Sequence, residues 1–113
     1  MKLRVGHHDY TIVALPEDDE DYGDIVGDCC RLTLTIRVDP AIPPTDQADT
    51  LLHEALHAIW QVYGLPAKVT EEEAATRLAG PLLALLRDNP EVVKAVLGTT
   101  EGVPLKLPDE DDD

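Results

Sequence analysis

One mostly apolar segment dominates what this chain can become. Thr50, Leu51, Leu52, Ala55, Leu56, Ala58, Ile59, Trp60 and Val62 recur at helical spacing, and the run stops at Gly64 and Pro66. Thr45 or Asp46 can cap its start. Inside it stands His53-Glu54-Ala55-Leu56-His57, an H-E-x-x-H pattern. Side chains four residues apart share a helix face, so both imidazoles can reach one Zn²⁺ at about 2.0–2.1 Å. Glu54, beside the first histidine, is placed to take a proton from water held by that metal. The pattern points to metal-assisted hydrolysis of an amide, with His53 and His57 as ligands and Glu54 as general base. Both histidines are expected within largely buried helix surface, and Trp60 in the core. A buried carboxylate needs a partner, which favours metal chemistry over a pair of hydrogen-bonded core histidines.

The bulk numbers bound the rest. A length of 113 residues fits one domain with a small core. With no Phe and only 4% aromatics, that core must be Leu, Val, Ile and Ala. Acidic residues number 23 against 9 basic, a net charge of −14. Nucleic acid and anionic membrane, which demand a basic face, are therefore not expected partners. A basic protein surface is compatible. Cys29 and Cys30 are adjacent, so in a strand they point to opposite faces and do not bridge. A reducing, cytoplasmic setting is expected, with no signal peptide and no apolar run near the ~20 residues of a membrane helix.

Along the chain, residues 2–15 read as a β-hairpin turning at Gly6-His7-His8-Asp9, with His7 and His8 as exposed turn residues. Residues 16–28 read as a solvated acidic loop, with Gly23 and Gly27 serving turns. A Ca²⁺ loop fails on spacing, because Asp24 stands where the motif needs glycine. Arg31–Val38 alternates, which predicts a half-buried antiparallel strand with Leu32, Leu34, Ile36 and Val38 inward. After the H-E-x-x-H helix, Thr70-Glu71-Glu72-Glu73 forms a capping box. It opens a helix with a buried stripe of Ala75, Leu78, Ala79, Leu82, Leu85 and Leu86 and a kink at Gly80-Pro81. Asn89-Pro90 starts a third helix through Leu97. The expected organisation is an α+β domain over residues 1–97 and an irregular acidic tail over 98–113, disordered at Asp109–Asp113.

Catalytic zinc keeps three protein ligands, so a third is required. The acidic opening of the second helix is a better source than His7 or His8. Glu72 shares a face with Ala75, Ala79 and Leu86 and can point toward the first helix. The connection Gly64–Val69 spans up to ~20 Å, enough to bring Glu72 back beside His57. Glu71 and Glu73 are better explained by the helix macrodipole, though either could replace Glu72.

Leu51-Leu52-His53-Glu54-Ala55-Leu56-His57-Ala58-Ile59 is similar to the signature helix of zincin-type metallopeptidases. Together with Glu72, Ala75, Leu78, Leu82 and Leu86-Arg87-Asp88-Asn89-Pro90, it resembles above all the small zincin-like proteins of tailed phages and prophages. The resemblance covers roughly residues 1–97 and implies a small zincin-like fold. It also implies His53, His57 and Glu72 as zinc ligands and Glu54 as general base. The strand before the helix, Thr33–Val38, would line the cleft and pair with an extended substrate. The extended signature with a third histidine is absent, and Tyr10, Tyr22 and Tyr63 are oxyanion candidates without positional support.

The reading is a zinc-dependent peptidase acting on a peptide or protein substrate in the host cytoplasm or virion. Mn²⁺ or Fe²⁺ would also suit a His₂-carboxylate site. The alternative is a zinc-stabilised interaction module that docks a basic partner such as another virion or prophage component, and a third reading is a regulator that cleaves or binds a repressor.

Overall fold

A computed structural model describes residues 1–109 as a small α+β domain of four strands and three helices. The strands are β1 (Lys2–Val5), β2 (His8–Ala14), β3 (Gly27–Cys30) and β4 (Thr35–Val38). The helices are α1 (Pro44–Val62), α2 (Glu71–Asp88) and α3 (Pro90–Thr99). The sheet order is β1-β2-β4-β3, with β2 and β4 parallel and the outer pairs antiparallel.

The hairpin forms as expected but turns more tightly. Val5 pairs with His8, leaving only Gly6 and His7 in the turn, and Gly6 takes a positive φ of 59°. That is the glycine-first pattern of two-residue hairpin turns. Leu3, Val5, Tyr10 and Ile12 reach the core from these strands.

The alternating segment behaves differently. Arg31–Leu34 is a turn, not a strand, with Leu32 90% exposed and Leu34 at φ 52°. The strand is therefore shortened to Thr35–Val38, and its antiparallel partner β3 lies where a loop was expected. Ile36 and Val38 point inward as predicted. The pairing does not match a purely antiparallel strand, because β4 is also parallel to β2. Arg37, on the opposite face, pairs with Asp28 across the hairpin and with Asp19, 2.6 Å away. It thereby ties the acidic loop to the sheet.

The α1 helix lays Leu51, Ala55, Ala58 and Ile59 on the inner sheet face. Its N-cap is Pro43 without a side-chain bond, so neither Thr45 nor Asp46 caps it. Pro44 at N1 has no N–H to satisfy, which lessens the need for one. The Thr70 cap of α2 forms as expected, accepting from the Glu73 amide at 3.1 Å. The α2 stripe does not. Only Leu85 is buried; Leu78 is half-buried, while Ala75, Ala79, Leu82 and Leu86 are exposed. The helix rests on β1 and α3 and is not packed along α1. It runs on through Gly80-Pro81 as one helix.

Asn89 does not cap α3 with its side chain. Its amide instead accepts from the Arg4 amide at 2.7 Å and donates to the carbonyls of Arg4 and Leu85, each at 2.8 Å. This fastens the α2–α3 corner to β1. Residues 103–109 lack regular structure, yet Leu105 is buried and its amide donates to Gln47 Oε1. Of the expected disordered tail, residues 110–113 lie outside those described. No helix of the described residues is long and apolar enough to cross a membrane.

Candidate metal centre

His53, Glu54 and His57 converge. Their ligand atoms lie within 4.8 Å of one another, the one such group of three or more among the described residues. The two imidazoles meet through Nε2 atoms 3.2 Å apart, with ring planes at 72°. Two nitrogens at about 2.0–2.1 Å from one tetrahedral ion stand about 3.3–3.4 Å apart. That spacing is also that of a hydrogen bond between the two rings, and it is compatible with both nitrogens reaching one ion, whose preferred donors they are.

The expectation of burial is corrected: His53 and His57 are exposed, on the outer face of α1. Burial belongs to Glu54, which is 8% exposed. The 100° step of the helix explains the difference. The core face runs through residues 47, 48, 51, 54, 55, 58 and 59, and residues 53 and 57 fall beside it. Glu54 thus sits under the histidines, against the sheet. Burial raises its pKa, His53 and His57 lower it, and Asp28 raises it further. The net direction is upward, with burial the largest cause.

Trp60 is half-buried and lines a shallow groove with His53, Leu56 and His57. Its Nε1 donates to the Pro66 carbonyl at 2.8 Å, folding the loop back over the end of α1. Trp60 therefore borders the site rather than filling the core.

Beneath Glu54 runs β3. A Cβ on Gly27 would stand 2.5 Å from Thr50 Cγ2, 2.7 Å from the Arg37 carbonyl and 3.7 Å from Glu54 Cγ. Gly27 is therefore a strand glycine that admits α1, not a turn residue. An isolated glycine at a strand is the signal for such close approach. Cys29, half-buried on the same face, has its thiol pushed up to about 11, chiefly by burial and then by Glu54. Cys30 is exposed, so the two cysteines do point apart.

Comparison with known proteins returns no match: no family model fits the chain, and no curated protein or solved structure is significantly similar.

The remaining candidates are scattered. Glu72 is exposed at the start of α2 and is not part of the His53–Glu54–His57 group. Glu71 and Glu73 are exposed beside it. His7 and His8 stack on each other at 4.0 Å in the hairpin. Tyr10 is fully buried, its hydroxyl without a hydrogen-bond partner among the described residues, while Tyr63 is the C-cap of α1. The strand assigned to substrate is also corrected. Both edges of β4 are taken by β2 and β3, so the sheet edge beside Glu54 is β3.

Proposed function

We propose that this chain is a zinc-dependent peptidase of zincin type, of phage or prophage origin. One observation carries the reading: two Nε2 atoms at chelating distance with a buried carboxylate immediately beneath them. His53 and His57 would hold the metal, and the resemblance implies Glu72, which stands outside their group here, as the third ligand. A bound Zn²⁺ supplies Lewis acidity and makes water acidic enough to ionise near neutral pH. Glu54 takes the proton as water attacks a peptide carbonyl and returns it to the departing amine. An extended substrate would lie along β3, whose outer edge is unpaired in the sheet. The free thiols of Cys29 and Cys30 suit action in a reducing cytoplasm.

The test is Glu54→Gln assayed with a quenched-fluorescence peptide mixture. The variant is expected to keep zinc and lose cleavage by at least about 10²-fold, the lower range of general-base contributions. A variant that cleaves like wild type would sink the mechanism.

A second reading is a zinc-stabilised interaction module for a basic protein. It is favoured by the exposed Leu52, Leu56 and Tyr63 on the outer side of α1, around the histidines. Zinc removal that melts the fold, with no cleavage of any peptide, would make it the better account.

A further inference from the structure

We infer that the first half of α2, residues 71–79, is an arm that closes onto the outer face of α1 when metal binds, delivering Glu72 to His53 and His57. The inference rests on the metal-centre reading above.

Three observations carry it. First, two helix faces each bear part of the ligand set proposed above. On α1, His53 and His57 share an exposed face with Leu56 and Trp60. On α2, Glu72 shares an exposed face with Ala75, Ala79, Leu83 and Leu86. The small residues Ala75 and Ala79 follow Glu72 directly, so a neighbouring helix could approach closely there.

Second, the arm is weakly held. No side chain between Glu71 and Gly80 is fully buried and only half-buried Leu78 packs on the core cluster from there, whereas Leu85 and Asn89 anchor the far end of the helix. Between the two parts lies Gly80-Pro81. Pro81 has no N–H for the Arg77 carbonyl, and glycine in a helix costs about 1 kcal/mol relative to alanine. A Cβ at Gly80 would meet nothing within 4 Å, so packing does not require glycine there. Its effect is to loosen the helix at the base of the arm.

Third, the tether is short. The Pro66 carbonyl is held 2.8 Å from Trp60 Nε1, beside the histidines. Glu72 follows six residues later, within ~20 Å at full extension. Such a tether keeps Glu72 at an effective concentration near the millimolar range. A second copy would have to bring up another chain of net charge −14. Closure within one chain is therefore favoured over donation from a partner.

Hydrogen-exchange mass spectrometry on the full chain, metal-free and with equimolar Zn²⁺, tests this. Wild type is expected to show exchange across residues 71–79 slowed roughly tenfold or more by zinc, at unchanged monomer mass. Glu72→Ala is expected to lose that slowing. Gly80→Ala combined with Pro81→Ala strengthens the helix without touching a ligand and is expected to reduce it. His57-dependent zinc binding with unchanged exchange at 71–79 would overturn closure and leave the metal centre standing. Slowing that appears only with a doubled mass would overturn it in favour of a second copy. Absence of zinc binding would overturn both readings.

Discussion

Glu54 carries the most telling chemistry at the scale of a single residue, because the fold buries a carboxylate that nothing in the core requires. Its pKa is raised, first by burial, so the folded state binds its proton more readily than the unfolded chain does, where the value is about 4.3. Stability tied to that proton is complete below the unfolded value and is lost as pH rises through the folded one. In metal-free protein, Glu54→Gln is therefore expected to melt higher than wild type at pH 7, with the gap closing toward pH 4. Thermal melts across that range read it directly, and a variant that melts lower at neutral pH would contradict the burial argument. The pattern His53-Glu54-Ala55-Leu56-His57 was legible because four-residue spacing on a helix is unambiguous. The orientation was not: every position from Leu51 to Ile59 apart from the motif itself is apolar, so the run did not reveal which side met the sheet.

At the scale of elements, the contact between α1 and β3 positions the site. Gly27 permits it, and Arg37 holds β3 and the acidic loop together from the other face. Gly27→Val would drive side-chain atoms into Thr50 and the Arg37 carbonyl. It is expected to destabilise the protein by about 1–3 kcal/mol, measured by urea unfolding, and to weaken zinc binding in the folded fraction. Unchanged stability would mean that α1 does not approach β3 this closely. The β3–β4 hairpin was hidden because Leu32 and Leu34 continue the alternation of Ile36 and Val38 through what is a tight turn. The helix α2 was hidden differently: Ala and Leu occupy nearly all its sides, so periodicity found a stripe but could not say which side was inward. The hairpin of β1 and β2, the Thr70 cap and the stop at Gly64 were readable because each rests on local backbone chemistry.

The whole molecule is a single sheet covered on one face by α1, with the far end of α2 fastened by Leu85 and Asn89 and its first half touching the core through half-buried Leu78. A metal at the histidine pair would join the two helices that the apolar core leaves apart. If zinc is both the reagent and a structural tie, as proposed, occupancy is the first quantity to know. The most direct measurement is elemental mass spectrometry on untagged protein purified without chelator, with His57→Ala alongside. The account expects about one zinc per wild-type chain, the stoichiometry of a single catalytic centre, and little or none in the variant. A folded wild type without zinc, or zinc retained equally by His57→Ala, would contradict it.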